Sequence, residues 1–218
     1  MSGKTWRNGG WTMTQDEILQ LKITLDGILP RIWRRFQVER GITLHQLHRI
    51  IQVVMGWSNS HLYGFTIDEK RYQDDKPDRI EEFDNATLFS SRTYKADILN
   101  LKQKFWYMYD FGDGWDHVLV VEKILPKKKG DSYPVCLGGE RNCPVEDCGS
   151  YPGYEHLLEV QKNKKHPEYK ELIEDWLGGE IDPEHFIVQG VNLELRREFP
   201  KKGEKKPDGR ARYWVMEK

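Results

Sequence analysis

Cysteine is scarce in this chain, and what is scarce or missing narrows the field before any motif does. Three cysteines occur in 218 residues. An odd number, with no apolar leader ahead of them, does not make a disulfide scaffold, so reduced thiols are expected, either packed or on a metal. No apolar run approaches the roughly 18 residues that a membrane-spanning helix needs. The opening MSGKTWRNGGWTM lacks the apolar segment of a secretory signal. The expectation is a cytoplasmic protein without membrane contact. Charge of one sign is lacking too: 34 Lys and Arg stand against 35 Asp and Glu, a net charge of −1. Binding to nucleic acid through phosphates usually needs a basic excess, so the balance does not favour it. Any such contact falls to the local runs at 127–129, 162–165 and 201–206, which read as solvated connections. There is no internal repeat and no His-Glu-x-x-His or similar motif that fixes a chemistry.

What the chain does have is aromatic weight, with 8 Trp, 10 Tyr and 8 Phe, too much for a disordered polypeptide. Residues 1–17 carry no period and read as a flexible lead-in. From Ile18 to Leu25 apolar residues alternate as in a half-buried strand, Asp26-Gly27 turns the chain, and Ile32 to Val38 returns. Pro30 makes that turn wider than two residues. A helix follows, with Thr43 and Gln46 spaced as a capping box, a stripe at Leu44, Leu47, Ile50, Ile51 and Val54, and Gly56 at its end. Leu62 to Ile67, Phe105 to Tyr109 and Val118 to Leu125 read as strands, with residues 74–104 mixed in period and Val135 to Gly153 a long irregular loop. Helices are expected over 154–162 and 167–176, and 187–195 reads as a last helix or strand. These elements make an α+β fold: an antiparallel or mixed sheet of hairpins with a central packed helix and a helical C-terminal part. The expected organisation is one domain over 18–199 and a basic mobile tail over 200–218.

Several segments then carry a resemblance. They are Leu21-Lys22-Ile23-Thr24-Leu25 with Pro30-Arg31-Ile32-Trp33-Arg34-Arg35, Thr43 to His48, Gly56-Trp57 and His61 to Phe65. Further on come Tyr109-Asp110-Phe111-Gly112-Asp113-Gly114-Trp115-Asp116-His117 and Pro144-Val145-Glu146-Asp147-Cys148-Gly149. In that order they resemble the plasmid-borne family named after the third open reading frame of a root-inducing plasmid. The resemblance implies a single α+β domain of a kind met in bacteria, archaea and mobile elements, where some members carry resolvase or repressor labels. The chain departs from the family pattern at Ser150, where a second glycine usually follows Gly149.

The candidate site is the turn over 110–117 together with the loop over 144–153. Its ligand-binding candidates are His61, Asp110, Asp113, Trp115, His117, Glu146 and Asp147. Carboxylates with one imidazole suit a divalent metal, Zn, Mn or Mg, able to activate water. The plainer account is that Asp110 and Asp113 accept backbone N–H groups in the turn while Glu146 and Asp147 cap the next loop or helix. Cys136, Cys143 and Cys148 with His156 form a second candidate metal set, although their spacing lacks the close ligand pairs of zinc sites, and buried thiols are the preferred reading. His45 and His48, one helical turn apart, read as the wet edge of their helix. His61 is poised between reaching the 115–117 turn and satisfying a buried carbonyl. Trp33 with Arg31, Arg34 and Arg35 reads either as an exposed aromatic–cation surface or as Trp–Arg packing in a seam, the second preferred. The leading expectation is a non-catalytic binding or interaction domain for a protein or small ligand. The alternative is a metal-dependent hydrolase using Asp110, Asp113, His117 and Glu146, and the third a mobile-element-associated DNA-binding protein.

Overall fold

A computed structural model describes residues 4–7, 10–13, 17–74, 88–201 and 203–204. The α+β expectation holds. Lys4–Arg7 (β1) and Gly10–Met13 (β2), inside the stretch read as a lead-in, pair antiparallel as a separate two-stranded sheet. The main sheet has eight strands: β3 Glu17–Leu25, β4 Trp33–Glu39, β5 Tyr63–Ile67, β6 Lys70–Gln73, β7 Leu88–Ser90, β8 Lys104–Tyr109, β9 Trp115–Pro126 and β10 Val135–Glu140. Their spatial order is β10-β4-β3-β9-β8-β5-β6-β7. All neighbours run antiparallel except β6 and β7, so the sheet is mixed. The helices are α1 Leu44–Met55, α2 Ser150–Val160 and α3 Val188–Glu198, with a π-helical segment Tyr169–Trp176 between the last two. Most of the basic tail lies outside the described residues.

The physics of α1 is as its sequence reads. The Thr43 side chain accepts from the Gln46 N–H, the Gln46 side chain caps the Thr43 N–H, and Gly56 closes the helix at φ 99°. Its stripe is sealed: Leu44, Leu47, Ile51 and Val54 are fully buried. One reading of this helix is corrected. His48 is not a wet edge but a core residue, 1% exposed, its ring stacked on Tyr63 at 3.5 Å between centroids. Its Nε2 lies 2.6 Å from Asn59 Oδ1, which can only accept, so Nε2 carries the proton and Nδ1 accepts from the Tyr107 hydroxyl at 2.8 Å. His45 is half-buried, with Nδ1 2.8 Å from the Tyr63 hydroxyl.

Alternation along β8 and β9 decides which side chains the sheet turns inward. Phe105, Tyr107 and Tyr109 of β8 and Trp115, His117, Leu119 and Val121 of β9 are all fully buried. A second correction concerns Val135 to Gly153, which is not one irregular loop. Its first six residues form β10 on the edge of β4, with a bulge between Cys136 and Gly138. Gly139 permits this close approach, because a Cβ there would come within 2.6 Å of the Trp33 carbonyl oxygen and 2.7 Å of the Arg34 side chain. The 74–104 stretch holds β7 and a short 3-10 turn, Ala96–Ile98, within its described part. Among the described residues no helix is long and apolar enough to cross a membrane.

Candidate functional site

Three segments far apart in sequence meet at His61. The loop between α1 and β5 brings the imidazole, the β8–β9 turn brings Asp110, and the loop between β10 and α2 brings Asp147. His61 Nδ1 lies 3.6 Å from Asp110 Oδ2, and His61 Nε2 lies 3.2 Å from Asp147 Oδ1. The Nε2 atom is shielded from solvent, yet its approach to Asp147 lacks the angle of a hydrogen bond. One donor atom from each of the three lies within 4.8 Å of the others, and no other group of three or more His, Cys, Asp or Glu does so among the described residues. Asp147 is open to solvent, its side chain 70% exposed, while Asp110 is nearly buried at 11%.

A polar buckle holds this arrangement. Glu146 accepts from the Tyr109 hydroxyl at 2.5 Å and from the Ser58 N–H at 2.9 Å. The same Tyr109 oxygen accepts from the Ser60 N–H at 3.1 Å and the His61 N–H at 3.3 Å. Burial and the adjacent Glu146 carboxylate push the Tyr109 phenol above its ordinary pKa, so the hydroxyl stays protonated and can donate. Trp57 adds a third tie, its indole N–H donating to the Pro144 carbonyl at 3.1 Å. Asn59, Asp110, Asp147 and Ser150 all sit at positive φ, between 56° and 65°. Ser150, where the family pattern has glycine, therefore holds a left-handed backbone (φ 65°) without being glycine.

The remaining candidates divide. Asp110 serves two purposes: Oδ1 accepts from the Gly112 N–H at 3.0 Å, the capping expected of a turn aspartate, while Oδ2 faces His61. Asp113 is half-buried, with Oδ2 shielded and without a hydrogen bond. Glu146 is in place but occupied by the buckle. Trp115 is fully buried beneath the turn, edge-on to Tyr151 at 5.0 Å. His117 points the other way, into the core, with Nδ1 3.2 Å from the Tyr107 carbonyl and the ring edge-on to Trp57. Period two explains it, since His117 shares its face with Trp115, Leu119 and Val121. Tyr109, Ser58 and Ser60 were not foreseen, and no spacing in the sequence singles them out.

Cys136, Cys143, Cys148 and His156 do not come together. The Cys136 thiol lies against the carbonyls of Arg35 and Gly138, and Cys143 lies 3.6 Å from the Arg34 guanidinium. Cys148 faces the Ser150 carbonyl, while His156 pairs with Glu168 at 3.1 Å. Burial raises all three thiols, and for Cys148, near Asp113 and Asp147, to about 12. They are protonated packing groups. Arg34 is likewise core rather than surface, 1% exposed, while Arg35 stacks at 5.1 Å from the Trp33 ring and pairs with Glu122.

Gly153 fixes the distance between the site loop and α2. A Cβ at this position would overlap the Cys148 carbonyl oxygen. Gly153→Ala is expected to cost about 1–3 kcal/mol, as overpacking does, and to shift Asp147. Thermal unfolding together with a crystal structure checks both, and an unshifted loop at unchanged stability would refute the claim.

A sequence model of the family described as plasmid pRiA4b ORF-3-like protein matches residues 17–189. An uncharacterized protein, y4hQ of Sinorhizobium fredii, is 35% identical over 166 residues, spanning 74% of this chain and 81% of the relative. A crystal structure of a protein of unknown function from Methanosarcina mazei has 37% sequence identity and a TM-score of 0.70, over 79% of this chain and 96% of that one.

Proposed function

This chain belongs to the plasmid pRiA4b ORF-3-like family, and for this member we propose a cytoplasmic binding domain whose site takes a divalent metal ion on His61, Asp110 and Asp147. The observation that carries the reading is the convergence of one imidazole nitrogen and two carboxylate oxygens from three separate segments. One nitrogen and two hard oxygens suit Zn or Mn better than Mg, which prefers oxygen alone. Donors on a tetrahedral ion with bonds of about 2.1 Å stand about 3.4 Å apart, whereas these lie within 4.8 Å of one another, so binding would draw the set together. Asp147, exposed and on a loop, is the side chain free to make that move.

Binding is favoured over hydrolysis because two residues a hydrolytic centre would need are engaged elsewhere. Glu146 holds Tyr109 and Ser58, and His117 lies in the core. Three lysines of the basic runs face carboxylates, Lys127 with Glu39, Lys162 with Glu159 and Lys164 with Glu180, which offsets part of the local positive charge. That supports a metal or protein ligand ahead of DNA.

Calorimetric titration of chelator-treated protein with ZnCl2 and MnCl2 is expected to give one site per chain. His61→Ala and Asp110→Asn are each expected to weaken it at least about tenfold, with circular dichroism unchanged. Absence of binding heat with either ion, together with metal-free purified protein, would end this reading.

A further inference from the structure

A cleft of about 340 Å³ opens beside the site, between α2 and the π-helical segment. Leu157 and Leu172 lie along it, and its polar groups include Asp147 from the site loop and Glu171 and His156 from the two helical segments. The composition is lopsided. No lysine or arginine lines it, and His156 is already paired with Glu168. Glu171 is exposed and makes no hydrogen bond or ion pair among the described residues. Trp176 also lines it, 46% exposed, its indole without a ring or hydrogen-bond partner among the described residues.

A cleft lined by leucine, two carboxylates and an indole without a ring or hydrogen-bond partner among the described residues is complementary to a cation on an aliphatic stem. Such a stem would lie against Leu172, with its charge toward Asp147 and Glu171 and the indole as a cation–π partner. Pockets for small molecules enclose most of their ligand. Here Asp147, Glu171, His156 and Trp176 all remain solvent-exposed, so the cleft can hold a protruding side chain but not enclose a free molecule. π-Helical segments also recur at functional sites, where the wider turn re-aims side chains.

We infer that this cleft is a docking site for a lysine or arginine side chain presented by a partner polypeptide. Asp147 is shared with the metal reading, but Glu171 and Trp176 are not proposed ligands, so variants at these two positions test the cleft alone.

The probe is a fluorescein-labelled glycine–serine peptide carrying two lysines, followed by anisotropy at low salt, with a two-glutamate version as comparison. The lysine peptide is expected to bind and the glutamate peptide not to. Trp176→Ala is expected to weaken binding about fivefold. Glu171→Lys is expected to weaken it at least about tenfold by placing like charge in the cleft, while Asp131→Asn, outside the cleft, leaves it unchanged. The variants alter exposed side chains, and circular dichroism confirms their fold. Equal binding of both peptides, binding indifferent to Trp176 and Glu171, or binding of free spermidine without binding of the peptide would each overturn the proposal.

Discussion

Arg34→Met is expected to lose about 3–5 kcal/mol of stability, a large part of what a domain of this size holds. The guanidinium is 1% exposed and ties three parts of the fold together. Nε donates to the Val54 carbonyl in the last turn of α1, Nη1 to the carbonyls of Trp33 and Glu140, and Nη2 to the Arg141 carbonyl and toward the Cys143 sulfur. The cation also lies 4.2 Å from the centre of the Phe186 ring. Methionine fills much of the volume but leaves buried carbonyls without donors, each costing about 1–3 kcal/mol. With a urea slope of about 2 kcal/mol/M, the midpoint falls by roughly 2 M. Arg35→Ala, one residue along on the opposite face, removes a half-exposed pair with Glu122 and is expected to cost less than about 1 kcal/mol. Similar midpoints for the two variants would show that Arg34 does not bind β4, α1 and β10 together.

The contrast between these neighbouring arginines marks how far the sequence could be read. Alternation places Arg34 on the face of Ile32 and Phe36, and that face is the core. What alternation cannot supply is the partner, because the accepting carbonyls at 140 and 141 come from the end of β10 and the residue after it. That strand, with two glycines and weak alternation, looks like loop until β4 lies beside it. The helix α1 was legible because its capping box, stripe and terminal glycine act within one stretch of chain. At the site, His61, Asp110 and Asp147 are all among the candidates that residue type and motif single out, but nothing in the spacing tells these three apart from the other four. His117 follows period rather than chemistry: from Trp115 to Val121 every second residue of β9 is buried, and Asp116 is the exposed one. The polar buckle through Tyr109 was illegible, since Tyr109 reads as one more strand aromatic until Glu146 is seen against its hydroxyl.

Acid is expected to unfold this protein steeply, through two histidines that the fold keeps neutral. Burial lowers the pKa of both His48 and His117 to about 3, against about 6.5 in an unfolded chain. Between those values the unfolded state binds protons that the folded state refuses. The stabilisation is therefore complete above about pH 6.5 and lost as pH falls toward 3. Each histidine contributes a slope of about 1.4 kcal/mol per pH unit, so the two together remove about 4 kcal/mol by pH 5. Urea unfolding at pH 7.5, 6 and 5 measures this directly, and proton NMR locates it, since neither imidazole is expected to titrate in the folded protein above pH 4. A stability profile flat from pH 7 to 5, or an imidazole of His48 or His117 titrating near 6.5, would contradict the account. The consequence reaches the site. His48 Nε2 donates to the Asn59 side chain, Gln52 accepts from the Asn59 N–H, and the loop they hold carries Ser58, Ser60 and His61. Protonated His48 turns Nδ1 from an acceptor of the Tyr107 proton into a competing donor, and a buried cation then stands where Tyr107 and Gln52 provide no counter-charge. The loop bearing His61 therefore depends on a neutral His48, and its hold is lost together with the fold as acid forces that proton on.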